Sequence, residues 1–350
     1  MDDGPVSETS PHADAVMSRW LTAATRSPGP WRLHPLIGGN SNETSLLSGA
    51  QATFVLRRPP RRALSASAHS MAREHRLLTA LVGTRVPAPA PVALCEAPEI
   101  PFAPFLVMQH IPDAVSITET LPPAYVSRPD ALTAVADEVV DALAAVHQVN
   151  WEAVGLQGFG RPESFLSRQV SRWHGQWQKV ARRPLPAMDT VAGWLEANRP
   201  PDQDPSLIHG DFHLDNCLFS AGEPQLAAVI DWEMATIGDG LLDLGLLLAL
   251  WGDRGVAECA MPKIQAVSRS HDAPSRAHLL DRYEQAVGTR LDHMAYYLCL
   301  ALFKLAAITE AAYSQHLAGK LPTEYAAALE HDVPTLLAEA SLLCHGASVS

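Results

Sequence analysis

Two neighbouring stretches constrain this chain more than any other part of it: Ile208-His209-Gly210-Asp211-Phe212-His213-Leu214-Asp215-Asn216-Cys217-Leu218-Phe219 and Val229-Ile230-Asp231-Trp232-Glu233. In both, acidic and amide side chains stand at the ends of short apolar runs. Ser206-Leu207-Ile208 reads as a buried strand entering a tight turn at Gly210. Cys217-Leu218-Phe219 reads as the next strand, and Leu226 to Ile230 as a third, reached through the turn residues Gly222, Glu223 and Pro224. A loop then carries Asp211 and Asn216 five residues apart, and the hairpin return brings Asp231 up beside them. Three oxygen-bearing side chains at strand ends can hold a hard divalent cation and position a hydroxyl. Phosphoryl transfer asks for those parts: one carboxylate to orient and deprotonate the nucleophile, and an amide plus a carboxylate on the magnesium that bridges the phosphates.

The pattern H-G-D-x-x-x-x-N, with the aspartate of I-D-W-E fifteen residues later, resembles the aminoglycoside phosphotransferase and choline kinase-like family. These are small-molecule kinases with the two-lobed protein-kinase-like fold. The two motifs agree in order, spacing and flanking strands. The I-D-W-E and L-D-L-G stretches and the late F-K-L-A helix are most similar to the branch found fused to acyl-CoA dehydrogenases. The resemblance covers the chain from about Leu36 onward. It implies an α+β fold with a small N-terminal antiparallel sheet lobe over residues 1–112, preceded by a helical extension. A larger, mainly helical lobe follows over residues 113–350. It also implies Asp211 as the catalytic base, Asn216 and Asp231 as magnesium ligands, His209 as a support of the catalytic loop, and Asp243 as its brace from below.

Ahead of these motifs, Leu36-Ile37-Gly38-Gly39-Asn40-Ser41-Asn42-Glu43 sets two glycines and small polar residues between strand-like runs. Such a backbone can approach phosphates closely and turn N–H groups toward them; an ordinary hairpin turn has the same composition. The related kinases carry a similar glycine-serine-asparagine loop over ATP, so the resemblance assigns Gly38, Gly39, Asn40, Ser41 and Asn42 to the nucleotide. Thr53 to Arg58 is a strand with a basic end. Where the family offers a lysine to the phosphates this chain has Arg57, a planar fork rather than a point charge, with Arg58 as its rival. Glu74 lies on a helix expected over Ser67 to Val82, with Ser67 as N-cap. Related kinases pair a glutamate at that place with the phosphate-binding base; a solvated helix glutamate is the alternative. Phe105 to Met108 reads as a buried strand. The resemblance makes the following Gln109-His110-Ile111 the hinge, reading adenine through backbone groups of Gln109 to Ile111.

From Asp113 the chain is mostly helical, with Leu132, Val135, Val139, Leu143 and Val146 at helical spacing. Glu163 to Arg182 is expected as one helix. On it Arg168 and Arg172, one turn apart, are candidates for an anionic substrate group, and Trp173 and Trp177 are core. His213 reads as a loop-stabilising histidine. Asp231-Trp232-Glu233 stands where protein kinases carry Asp-Phe-Gly, and loss of that glycine argues against a large activation flip. Asp243 is conspicuous inside the apolar run Leu241 to Trp251, since a buried carboxylate must be hydrogen-bonded. In related enzymes the C-terminal helices wall the acceptor site. Lys304, Glu310 and Tyr313 are substrate candidates on that ground, although a surface-edge pair reads equally from the same residues.

Length and composition bound the rest. A chain of 350 residues, 47% apolar, allows one large domain or two lobes with a substantial core. Five scattered cysteines without metal-ligand spacing predict a reduced, cytoplasmic protein. The start Met1-Asp2-Asp3-Gly4 shows no secretory pattern. Met294 to Tyr313, interrupted by Lys304 and Glu310, reads as a buried helix rather than a membrane span. The net charge is −12, yet residues 30–112 carry four excess positives, leaving −14 on residues 113–350. A basic first part suits a polyphosphate, and an acidic remainder argues against nucleic acid. The expected protein is a magnesium-dependent kinase with ATP or GTP as donor. Its acceptor would be a hydroxylated acyl or acid compound, or an aminoglycoside-like antibiotic, with no nucleic-acid or membrane partner. Two alternatives stand beside it. One is a catalytically inactive nucleotide-binding protein, favoured by Arg57 in place of lysine. The other is a metal-dependent hydrolase built on His209, Asp211 and His213.

Overall fold

Short antiparallel strands fill the first third of the computed structural model and helices dominate the remainder; residues 11–36, 42–60, 70–252, 256 and 259–346 are described. The chain divides into two compact units, one of residues 1–84 and 88–112, the other of residues 85–87 and 113–350. This is the two-lobed α+β architecture of the protein-kinase-like fold, with a small sheet lobe and a larger helical lobe.

The first unit contains α1 (Pro11–Thr25), β1 (Arg32–Pro35), β2 (Glu43–Ser48), β3 (Thr53–Arg58), α2 (Met71–Leu81), β4 (Pro91–Cys95) and β5 (Phe105–Gln109). Its strands form one antiparallel sheet in the order β1-β2-β3-β5-β4. Leu47, Leu56, Cys95, Phe105 and Val107 supply the sheet side of a core that Met17 and Leu21 of α1 complete. Trp20 sets its ring edge-on to Phe105 at 5.2 Å. Alternate strand residues and helix residues four apart therefore meet in one layer. On α2, Met71, Glu74, Leu78 and Leu81 fall on one buried face. Ser67 lies outside the described residues. The helix starts at Met71, later than expected, because the Ser70 hydroxyl accepts the Arg73 N–H at 3.2 Å and so caps it.

The second unit runs β6 (Ala114–Ser116), α3 (Ala131–His147), α4 (Gln169–Val180), α5 (Pro186–Ala197), β7 (Ser206–Ile208), β8 (Cys217–Ser220), β9 (Leu226–Val229), β10 (Thr236–Gly238), α6 (Leu241–Leu250), α7 (Arg276–Val287), α8 (Met294–Leu317) and α9 (Glu324–Cys344). Strands β6, β8 and β9 form one small antiparallel sheet, and β7 and β10 another. The single helix expected over 163–182 is split. A 3-10 turn, Leu166–Arg168, precedes α4, and Arg168 bends back onto the carbonyls of Arg161, at 2.6 Å, and Glu163. By length and composition α8 could cross a membrane, but 78% of its most apolar window is buried, packed on α4, α5, α6 and α9. A Cβ at Gly245 of α6 would stand 2.7 Å from the Tyr297 carbonyl, so α6 and α8 approach as closely as they do only because that residue is glycine.

Candidate functional site

The loop after β7 is held almost wholly through its backbone. Gly210 has φ +85°, and a Cβ there would lie 2.5 Å from the Met234 carbonyl oxygen. Asp243, 2% exposed, accepts the His209 N–H at 2.6 Å and the Gly210 N–H at 2.9 Å, one on each carboxylate oxygen. The Lys304 ammonium donates to the Gly210 carbonyl. His209 is fully buried against Trp232 and Phe212, with ring centroids at 4.6 and 5.8 Å. Burial pushes its pKa down, so the ring is neutral. Its Nε2–H then donates to the Ile230 carbonyl at 2.9 Å, and its Nδ1 accepts the Asp211 N–H at 3.3 Å. Behind Asp243, His147 Nε2 lies 3.6 Å from the carboxylate and its Nδ1 lies 2.6 Å from the Tyr283 hydroxyl. Burial alone would raise the Asp243 pKa; the His147 imidazole, with the Lys304 charge, brings it below the ordinary value.

Asp211 has a carboxylate 37% exposed, with Oδ2 3.7 Å from His213 Nε2. The other nitrogen of His213 lies 3.3 Å from Asp215 Oδ2. Burial pulls the His213 pKa down, but the two carboxylates push it up to about 10, so the ring is an imidazolium at neutral pH. For Asp211 burial acts upward, and His213 and Lys304 together hold its carboxyl well below the usual carboxylate range. Asp211 is thus an ionised acceptor facing solvent, ready for a hydroxyl.

Asn216 and Asp231 come from neighbouring strand ends. Cys217 of β8 pairs with Val229 of β9, and the Ile230 N–H donates to the Asn216 carbonyl at 2.9 Å. Asp231 has φ +66° and ψ +57°, and a 3-10 turn, Trp232–Met234, follows directly. The Trp232 indole N–H, donating to the Val229 carbonyl at 2.9 Å, anchors that return. Asn216 Nδ2 donates to the Asp211 carbonyl at 2.8 Å, which leaves Oδ1 as the oxygen this side chain can offer. An amide oxygen and a carboxylate fit magnesium, a hard cation that retains several waters. Among the described residues no three of His, Cys, Asp and Glu gather as a metal set. Both ring nitrogens of His209 are spent on backbone groups, so the hydrolase alternative loses its first ligand.

In the first unit Arg57 and Glu74 form an ion pair at 3.0 Å. Arg58 instead meets Glu43 at 2.5 Å and lies over the Phe102 ring at 4.4 Å. Gly38, Gly39, Asn40 and Ser41 lie outside the described residues; Asn42 is 5% exposed. Gln109 donates its amide to the Ala90 carbonyl at 2.8 Å, so that N–H is committed, while Ile111 is half-buried.

The substrate candidates separate into three groups. Arg168 is committed to local carbonyls. Arg172 is exposed, lies over the Trp173 ring at 4.7 Å, and shares with Lys304, Gln169, Gly210 and Asp243 the lining of a cavity of about 60 Å³. Glu310, fully buried, is gripped by Arg183, with Nη2 to Oε2 at 2.8 Å. Arg183 also donates to the carbonyls of Glu330 (2.6 Å) and Leu329 (3.0 Å) and covers the Tyr313 ring at 4.0 Å. Glu310 and Tyr313 therefore belong to a clasp between α8 and α9. Sequence patterning also passed over Gln265, fully buried, whose Oε1 accepts the Leu214 N–H at 2.7 Å and whose Nε2 donates to the Leu247 carbonyl at 3.1 Å. Asp215, which meets both His213 and the Gln265 N–H, had a signal in its place within H-x-D-x-H-x-D.

The model of the Phosphotransferase enzyme family matches residues 32–280. Acyl-CoA dehydrogenase family member 11 of Gallus gallus is 32% identical over 316 residues, covering 89% of this chain and 40% of that protein. This chain thus spans well under two thirds of that relative. A Ralstonia eutropha structure provisionally assigned as an aminoglycoside phosphotransferase superposes with a TM-score of 0.79 at 27% identity, covering 95% of this chain and 98% of that one. Choline kinase from Cryptosporidium parvum shares the fold, with a TM-score of 0.62 at 11% identity over 95% of this chain and 97% of that one.

Proposed function

The chain belongs to the phosphotransferase enzyme family, on the side related to the acyl-CoA dehydrogenase family members, and from that premise we propose that it transfers the γ-phosphoryl group of ATP or GTP to a hydroxyl of a small acceptor. One observation carries this reading: an ionised, solvent-facing Asp211 shares a loop with Asn216, and the adjoining strand end carries Asp231. Asp211 orients the acceptor hydroxyl and takes its proton. Asn216 Oδ1 and the Asp231 carboxylate would hold magnesium, which when bound neutralises phosphate charge. Arg57, braced by Glu74, is the group through which the first unit would engage a phosphate. His209 and Asp243 keep the loop in place through its amides.

For the acceptor, likeness to the acyl-CoA dehydrogenase family members supports a hydroxylated acyl or acid compound. An aminoglycoside-like antibiotic is the other class, supported by the Ralstonia structure and by the acidic charge of residues 113–350. The cysteines Cys95, Cys217, Cys259, Cys299 and Cys344 are unbridged, in keeping with a cytoplasmic setting. Arg57 in place of lysine favours a second reading, a nucleotide-binding protein without turnover.

The test is ATP consumption with magnesium across hydroxyacyl-CoAs, hydroxy acids, aminoglycosides and choline-like alcohols. Asp211→Asn should lower turnover by about 10²–10⁴-fold with nucleotide affinity largely kept. Undiminished turnover in that variant removes Asp211 from its role. Tight ATP binding by the unaltered protein, without turnover on any acceptor class, selects the second reading.

A further inference from the structure

We propose that Lys304 is a positioning residue of the phosphoryl-transfer loop, closing with Asp243 a two-sided clamp on Gly210. The geometry fixes two consecutive peptide units. The amide of Gly210 is held by Asp243 Oδ1 at 2.9 Å, and the Gly210 carbonyl by the Lys304 ammonium. The next amide, that of Asp211, meets His209 Nδ1 at 3.3 Å. An anion therefore grips the donor end of Gly210 and a cation grips its acceptor end. What lies between is a glycine at φ +85°, the residue type whose backbone is least able to hold a conformation by itself. The direction of the Asp211 side chain follows from those two peptide planes.

The placement of Lys304 argues that the contact is its purpose. It lies midway along α8, a helix otherwise packed in the core, where an ammonium is costly unless paired. Burial accordingly pushes its pKa down, while the charges of Asp211 and Asp243 act the other way. Its ammonium also stands 5.8 Å from the centroid of the Trp173 ring on α4, so one side chain links α8 and α4 to the loop. A group meant to catch the acceptor would not have its charge turned onto a main-chain carbonyl.

The word "positioning" rests on the kinase reading; the clamp itself does not, and the experiment separates the two. In the full chain, Lys304→Met, Lys304→Gln and Lys304→Arg would be compared by amide exchange of the segment 207–217 and by magnesium-dependent ATP turnover. With Met, loop exchange should quicken by about tenfold or more while α3 and α6 keep their protection. The turnover number should fall by about 10²-fold with KM for ATP unchanged. Arg, which keeps charge and donor, should restore most of both. Should Met prevent folding, Gln supplies a shorter neutral donor and is expected to lie between. Unchanged loop exchange in the Met and Gln variants overturns the clamp. An intact turnover number with a raised acceptor KM makes Lys304 a substrate group and overturns it equally. If the unaltered protein turns over no acceptor, the kinase reading fails, while the exchange data still decide whether Lys304 holds the loop.

Discussion

Arg57 of β3 and Glu74 of α2 face one another 3.0 Å apart, Nη1 to Oε1, with side chains only 9% and 2% exposed. Removing one member of a buried pair strands the other charge, at a cost of about 3–5 kcal/mol, whereas replacing both by apolar residues of similar volume is often neutral. Arg57→Ala or Glu74→Ala should therefore destabilise the first unit by about 3 kcal/mol. Arg57→Met with Glu74→Leu should return its stability close to the starting value and still lose nucleotide affinity. Urea unfolding and ATP calorimetry on the three variants check this. Full ATP affinity in the double variant would mean that the pair is only a strut between β3 and α2.

Glu310 and Arg183 predict the opposite pattern. The carboxylate is fully buried and its partner's side chain is 19% exposed, so Glu310→Ala or Arg183→Ala should cost about 3–5 kcal/mol. Acceptor KM should stay unchanged, since Arg183 ties Glu310 to the carbonyls of α9 rather than leaving it for a ligand. A raised KM at unchanged stability would put Glu310 back among the acceptor contacts.

What could be read from the sequence follows from how local each signal is. Asp211, Asn216 and Asp231 lie on a strand-turn-strand segment, where apolar runs and turn residues specify the pairing that brings Asn216 beside Ile230. Asp243 was legible because a charge inside a leucine-rich helix needs partners, and both its oxygens take loop amides. Contacts across long separations left no such trace. Arg183 and Glu310 are 127 residues apart, and Leu214 and Gln265 are 51. Neither Arg183 nor Gln265 sits in a pattern that marks it. Ser67 and Ser70 both satisfy the cap rule, and only the reach of the Ser70 hydroxyl to the Arg73 amide marks the start of α2. Similarly, a helical period through 163–182 does not register that Arg168 spends its guanidinium on the carbonyls preceding it.

Asp243 carries a pH prediction with a definite sign. Its pKa in the folded protein is lower than usual: burial acts upward, but His147 and Lys304 outweigh it. A carboxyl depressed by folding contributes its full stability above the unfolded value of about 3.9 and loses it as pH falls through the folded value. Asp243→Asn removes the charge and one acceptor oxygen, so near neutral pH it should be less stable by about 2 kcal/mol. That gap should begin to narrow below about pH 4, where the unfolded chain takes up a proton that the native carboxylate does not, and should close as pH falls through the lower folded value. Urea midpoints measured from pH 7 downward test it. A gap that stays constant into acid would show that the shape of Asp243, and not its charge, supports the loop.

Gly210 separates backbone strain from site geometry. Gly210 and Gly158, both in the second unit, share a positive φ, +85° and +72°, but nothing lies within 4 Å of a Cβ built at Gly158. Alanine at either position meets the left-handed penalty of about 1 kcal/mol. Only Gly210→Ala also drives a methyl to 2.5 Å from the Met234 carbonyl oxygen. Met234 closes the turn that begins directly after Asp231, so the clash is relieved by moving either the Asp211 loop or the Asp231 turn. A displacement of about 1 Å at either would lower turnover by about 10²-fold. Gly158→Ala, equally strained, should keep its turnover. Comparable losses of stability and activity in the two variants would mean that conformational strain alone explains Gly210, and that its close approach to Met234 does not set the spacing of Asp211 and Asp231.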